Sequence, residues 1–187
     1  MSARPQVQHP TATANDGDWL VLDQQLCFAL YATSLAMTKT YKPLLAPLGL
    51  TDPQYLAMLV LREQDGITVS QLGDRLTLDS GTLTPLLKRL AALGLLQRQR
   101  DDRDERRVLL RLTESGRALK AQALSVPQAI ACATACDLRQ IGALAAQLNA
   151  LRSQLNAALQ PAALARVARQ PTALSQAAAP GSPPPRP

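Results

Sequence analysis

Three cysteines carry the thiol chemistry of this sequence: Cys27 in LDQQLCFALY, and Cys132 with Cys136 in ACATAC. Cys27 lies about one turn into a predicted helix, between Leu26 and Phe28. Taken alone, a thiol in that company reads as a small hydrophobe in a core. Reactivity needs more, namely a helix N-terminus whose dipole favours the thiolate and hydroxyl donors that lower its pKa and aim the sulfur at a peroxide. Tyr31 follows Cys27 by one helical turn, whereas Tyr41 lies too far along the same helix to reach it except from a second copy of the chain. By themselves, Cys132 and Cys136 read equally well as packed side chains.

A second group of residues suits nucleic acid. Ser80, Gly81, Thr82 and Thr84 fall at the start of a predicted helix, with Lys88 and Arg89 a turn and more along it. The first residues of a helix seated in a major groove reach base edges, and cations further along suit phosphates or guanine. Arg103, Arg106 and Arg107 sit at the tip of a predicted hairpin, placed for a minor groove or the DNA backbone. The competing reading of that tip is a solvated hairpin whose arginines pair with Asp101, Asp102, Asp104 and Glu105.

These residues need elements to position them. Leu26, Leu30, Met37, Tyr41 and Leu44 return to one face of a long first helix, opened by Asp23 and closed by Pro47 and Gly49. Thr51 or Asp52 with Pro53 starts a second helix, Thr68 or Ser70 a short third, and Asp79 or Ser80 a fourth that stops at Gly94. The period then falls toward two across residues 95–100 and 108–112, a β-hairpin around the DDRDER tip. Helix, turn, helix and hairpin is the winged-helix order. A further helix runs from Thr113 to about Leu124, Pro127 interrupts it, and the last spans about Asp137 to Leu159. Its Ile141, Leu144, Leu148, Leu151 and Leu155 form a narrow seam suited to another helix, and favour a homodimer over packing inside one subunit.

Charge falls where that order puts it. The 187 residues carry 20 Lys and Arg against 14 Asp and Glu. Between Leu86 and Arg111 there are eight cations and four carboxylates, a larger excess than in any other segment, so an anionic partner belongs to the fourth helix and hairpin. Five aromatic residues are too few for a base-stacking sheet. No cysteine is in a CxxC pair and the one histidine, His9, lies in a polar leader, so neither a metal site nor a disulfide framework is indicated, and no cofactor is implied. No run of about 18 apolar residues and no secretory leader occurs, which points to a cytoplasmic protein without a membrane partner.

The stretches LDQQLCFALY, MTKTYKPLL, LTDPQYLAMLVL, LTLDSGTLTPLLKRL and DERRVLLRLT resemble the MarR family, and within it the organic hydroperoxide resistance regulators of the OhrR type. The likeness covers about Leu22 to Leu159. It implies a homodimeric winged-helix repressor on a pseudo-palindromic double-stranded operator, with Arg106 entering the minor groove and Asp104 orienting it. It places Cys27 at the peroxide-sensing cysteine, Tyr41 at a tyrosine that hydrogen-bonds it across the dimer, and Tyr31 at another pocket tyrosine. Cys132 and Cys136 resemble the two-cysteine subtype, in which the first resolves the oxidised sensor of the other subunit by a disulfide; Cys136 is the alternative partner. Asp52 and Thr77 stand where the family commonly has tyrosine, and Arg62 where it has tryptophan, with Asp52 a poor substitute for a phenol beside a thiolate.

The resulting expectation is a mainly α chain with a small β-hairpin wing. Residues 1–18 form a disordered leader and 161–187 a disordered Ala/Pro-rich tail; the regulator occupies 19–160, with dimerisation helices about 20–46 and 114–159 and a DNA-binding part about 51–112. Its function is to repress a peroxide-resistance gene and release the operator when an organic hydroperoxide oxidises Cys27. It is not an enzyme, since a thiol peroxidase turns over with a reductant and a sensor reacts once. The alternative within DNA binding is a MarR-type repressor gated by a small aromatic or phenolic ligand, with Cys27 structural. An adaptor using its basic hairpin for protein partners is a further class, marked by the absence of salt-dependent DNA binding.

Overall fold

The computed structural model describes residues 20–101 and 104–159. Arg103, the leader and the Ala/Pro-rich tail lie outside them. The chain divides into two compact units, one of Thr33–Asn149 and the other of the segments on either side.

A single 3-10 turn, Leu22–Gln24, precedes helix α1, Leu26–Leu45, which starts in the smaller unit and runs into the larger; its first turn closes with Ala29 N donating to Gln25 O at 3.0 Å. Asp23 belongs to that 3-10 turn and does not cap α1, contrary to expectation. The helix therefore starts later, and Cys27 is its second residue instead of lying a turn inside. Pro43 is accommodated and α1 continues to Leu45.

The larger unit is built around α2 (Asp52–Glu63), α3 (Val69–Leu76) and α4 (Ser80–Ala92), with a sheet of β1 (Ile67–Thr68), β2 (Leu96–Asp101) and β3 (Asp104–Leu112) in the order β1-β3-β2. Sequence chemistry sets each start. Thr51 and Gln54 form a reciprocal capping box on α2, Thr68 and Gln71 another on α3, and Asp79 caps α4 by accepting from Thr82 N at 2.9 Å. The hairpin register pairs Leu96 with Leu112, Arg98 with Leu110 and Arg100 with Val108, followed by an irregularity at Arg100 and Asp101. Strand β1, which periodicity did not reveal because it has two residues, pairs Ile67 with Leu110.

Leu61, Leu72, Leu87, Leu90 and Leu110 are fully buried and tie these elements into one core. Helices α3 and α4 approach closely because Gly73 has no side chain: a Cβ there would lie 2.8 Å from Leu83 Cδ1 and 2.9 Å from Leu78 O. Thr77 ends α3 in the left-handed region at φ 57°, which gives the tight turn into α4.

Helix α5, Glu114–Ala123, is followed by α6, Ser125–Thr134. The expected break falls at Leu124, between α5 and α6, and Pro127 sits in the first turn of α6, where a missing backbone N–H costs little. Helix α7, Leu138–Ala158, contains no buried residue. Leu144, Leu148 and Leu155 are 54 %, 42 % and 52 % exposed. In α1, Leu45 alone is buried.

Candidate functional site

Helix α4 divides cleanly. Leu83, Leu86, Leu87 and Leu90 are buried, while Ser80, Gly81, Thr82, Thr84, Lys88 and Arg89 all face solvent. The four-residue spacing of the leucines fixes the opposite face outward, so the predicted contact residues share one exposed surface. Two of them have their hydroxyl protons engaged. Thr82 Oγ1 donates to Asp79 Oδ2 at 3.0 Å and Thr84 Oγ1 donates to Ser80 O at 2.8 Å. Thr82 and Thr84 therefore offer methyl groups and acceptor lone pairs, not the free donors that residue type alone suggests. The hydrogen bonds from Thr82 N and Thr82 Oγ1 hold the Asp79 carboxyl below its usual range, so the cap is ionised at neutral pH.

On the wing, Asp104 Oδ1 accepts from Arg106 N at 3.1 Å, which fixes the backbone from which Arg106 projects. Arg106 and Arg107 are exposed. Arg107 Nε is 3.9 Å from Asp101 Oδ2, a long contact. A crevice of about 440 Å³ between the start of α3 and the wing is lined by Thr68, Ser70, Gln71, Arg98, Arg106 and Arg107. Arg98 was not singled out from sequence; its signal was its place in β2, opposite Leu110, on the strand that carries the wing. Arg103 lies outside the described residues.

The thiols are distributed over both units. Cys27, in the first turn of α1, is exposed and not buried as its neighbours suggested, and Tyr31 one turn later is 63 % exposed. Cys132 is placed in the last turn of α6, correcting its expected position between helices, and it too is exposed. Cys136 follows Ala135, which is left-handed at φ 52°, and its N–H returns to Ala131 O at 3.2 Å. That closing turn folds Cys136 back onto its own helix, so it is half-buried, and its Sγ donates to Thr134 O at 3.4 Å.

In the larger unit Tyr41 packs on Tyr55, with ring centroids 6.2 Å apart and planes tilted by 43°. Burial, then the neighbouring Tyr55 and the charge of Asp52, push the Tyr41 phenol above its ordinary pKa. Asp52 thus helps to keep Tyr41 a hydrogen-bond donor. Tyr55 was read only as part of an apolar face; it is the buried surface on which Tyr41 rests. Among the described residues no group of His, Cys, Asp and Glu is arranged to hold a metal ion.

Comparison with known proteins fits this arrangement. A family model described as transcriptional regulator SarA/Rot matches residues 39–123. The organic hydroperoxide resistance transcriptional regulator of Bacillus subtilis is 53 % identical over 116 residues, which cover 62 % of this chain and 79 % of that protein. The chain belongs to the MarR family, with the organic hydroperoxide resistance regulators. Another regulator, TtmR of Methylorubrum extorquens, is 48 % identical over 136 residues, covering 73 % of this chain and 70 % of the relative. Among solved structures the regulator resembles AbfR, known from Staphylococcus epidermidis. Reduced AbfR bound to DNA matches with 29 % identity and a TM-score of 0.62, over 74 % of this chain and 95 % of that one. AbfR has also been solved overoxidized on DNA and with a disulfide formed. The regulator's winged helix-turn-helix, read from helix order and charge, is thereby established. No single described helix is long and apolar enough to cross a membrane.

Proposed function

We propose that this regulator is a cytoplasmic homodimer that represses a peroxide-resistance gene from a pseudo-palindromic operator and releases it when an organic hydroperoxide oxidises Cys27. The observation that carries the reading is the exposed Cys27 thiol in the first turn of α1, where a peroxide can reach it. The Cys27 thiolate attacks one peroxide oxygen; the S–O bond forms, the O–O bond breaks, and the departing alkoxide takes a proton and leaves as the alcohol. Cys27 becomes a sulfenic acid. A thiolate from Cys132 of the second subunit then attacks that sulfur, an S–S bond forms and the hydroxyl leaves as water after protonation.

Each supporting residue has a stated part. Tyr31, four positions from Cys27, and Tyr41 of the other subunit donate to the thiolate, and Asp52 maintains the Tyr41 phenol. Cys132 is the resolving thiol because it is exposed, whereas Cys136 is folded against its own helix. Ser80, Gly81, Thr82, Thr84, Lys88 and Arg89 meet the major groove, and Arg103, Asp104, Arg106 and Arg107 form the wing contact. The unburied leucines of α7 supply the dimer surface. AbfR, solved both on DNA when reduced and with a disulfide formed, supports a redox reading over a phenolic ligand gate.

Operator affinity measured before and after one equivalent of cumene hydroperoxide tests the proposal. Wild type loses affinity and Cys27→Ser keeps it; unchanged affinity in the wild type refutes the redox mechanism.

A further inference from the structure

Of the three thiols, Cys136 is the one without a part in the proposed chemistry. It shares the ACATAC stretch with Cys132, and the backbone joins the two closely. Ala135 N donates to Cys132 O at 3.3 Å, Cys136 N donates to Ala131 O at 3.2 Å, and Ala135 between them is left-handed at φ 52°. This double closure is the helix-ending turn that bends a chain back over its last helical residues. Four residues of helix rise about 6 Å, inside the Cα span that a disulfide bridges, and a chain bent back on its own helix covers less. Cys136 therefore stays beside Cys132 in one turn.

The two sulfurs differ in access. Cys132 is exposed, whereas Cys136 is half-buried and its S–H donates to Thr134 O at 3.4 Å, a weak bond. Access puts Cys132 first at an oxidised sulfur from the second subunit and leaves Cys136 reduced behind it. Once Cys132 has entered a disulfide, Cys136 is a thiol held next to a disulfide sulfur. Exchange is then intramolecular and runs at a high effective concentration.

We propose that Cys136 is a third redox residue, which converts the intersubunit disulfide into a Cys132–Cys136 disulfide within one chain. The inference rests on the Cys27–Cys132 step proposed above. Cys136 gives its proton to water and its sulfur attacks Cys132 Sγ; the new S–S bond forms, the bond from Cys132 to Cys27 of the second subunit breaks, and Cys27 leaves as a thiolate. The hydroperoxide has then taken two electrons from the Cys132–Cys136 pair, one alcohol and one water have been released, and Cys27 is returned reduced. The covalent tether between subunits is a passing state, and the sensing thiol is free for a second hydroperoxide.

Full-length protein treated with one equivalent of cumene hydroperoxide per chain, without small thiols, and quenched with N-ethylmaleimide at intervals tests this. In wild type the covalent dimer on nonreducing electrophoresis rises and then decays. As it decays, the tryptic peptide of residues 121–139, which holds both cysteines, appears two hydrogens lighter and unlabelled, and Cys27 regains its label. Cys136→Ser forms the same dimer and holds it at least about tenfold longer, with Cys27 unlabelled. Matching thermal melts show that the variant is folded. A wild-type dimer as long-lived as that of Cys136→Ser, or a dimer that decays without the internally linked peptide, overturns the proposal and leaves the Cys27 mechanism standing. A Cys136→Ser protein that forms no covalent dimer removes the Cys27–Cys132 step and this inference with it.

Discussion

Tyr41 stays protonated throughout the physiological range, because burial, Tyr55 and the Asp52 charge all act against the phenolate. A donor held in that state strengthens any thiolate it faces. Tyr41→Phe is therefore expected to slow Cys27 oxidation about ten- to 100-fold, in line with the roughly 1.5–3 kcal/mol of a hydrogen bond to a charged group. Stopped-flow measurement of peroxide consumption at neutral pH checks it, and an unchanged rate would remove Tyr41 from the site. The two remaining cysteines make a different point. Removing both separates release by the disulfide from release by oxidation of the Cys27 sulfur alone. The double variant Cys132→Ser with Cys136→Ser, oxidised without added small thiols, should keep its operator affinity. Cys132→Ser alone should lose the covalent dimer on nonreducing electrophoresis. The placement of these residues was legible by type and spacing: Cys27 and Tyr31 one turn apart on α1, and the exposed polar start of α4. What sequence hid were the states of side chains, such as the Thr82 hydroxyl committed to Asp79 and Cys132 exposed while Cys136 is tucked in. Those depend on turn geometry that residue identity does not specify.

At the scale of elements, two junctions decide how the wing is held. Gly116, at the third position of α5, is buried where a Cβ would lie 2.0 Å from Leu95 O. Thr113 occupies the same junction, with its N–H on Leu95 O at 3.1 Å and its hydroxyl donating to Gly94 O at 2.6 Å. Backbone cannot yield there without breaking those bonds, so Gly116→Ala should cost about 3 kcal/mol. In a chain of this size that lowers the melting temperature by roughly 6–12 °C. The second junction is Asp65, which joins the end of α2 to β3 and α5. Burial raises its pKa, but the hydrogen bonds from Leu112 N, Arg117 and Gly66 N outweigh that, and the carboxyl is held below its ordinary 3.8. Its folded-state pKa is depressed, so its contribution to stability is present above the ordinary carboxylate range and disappears as pH falls through the folded value. Urea unfolding of Asp65→Asn should show a deficit at pH 7 that shrinks below about pH 4; a deficit independent of pH would mean that charge is irrelevant at this joint. Element starts were legible because Thr51, Thr68, Asp79 and Thr113 are capping residues. Strand β1 and helix α6 were not, since two residues have no period and a proline reads as a break until its place in the first turn is known.

At the scale of the whole molecule, the unburied faces and the charge distribution argue together. Helix α7 runs 21 residues without burying one, and Leu144, Leu148 and Leu155 of its seam are about half exposed. An isolated helix gains most of its stability from covering an apolar face, so this one requires a partner surface. A second copy would supply it and would also set two recognition helices at a fixed spacing, so that a two-fold symmetric protein matches a pseudo-palindrome. Coupling the two half-sites multiplies affinity without a new contact, because the second recognition helix binds at high effective concentration. Leu148→Glu tests that linkage. It places a charge in the middle of the seam while leaving α4 and the wing untouched, so each subunit should keep its fold and its salt-dependent attraction to DNA. Sedimentation should show monomers at concentrations where the wild type is dimeric. Operator affinity should fall at least about 100-fold, the lower end of the avidity range, with specific and nonspecific DNA becoming hard to distinguish. A Leu148→Glu protein that remains dimeric would move the interface off the α7 seam, and a monomer with undiminished operator affinity would end the two-half-site model.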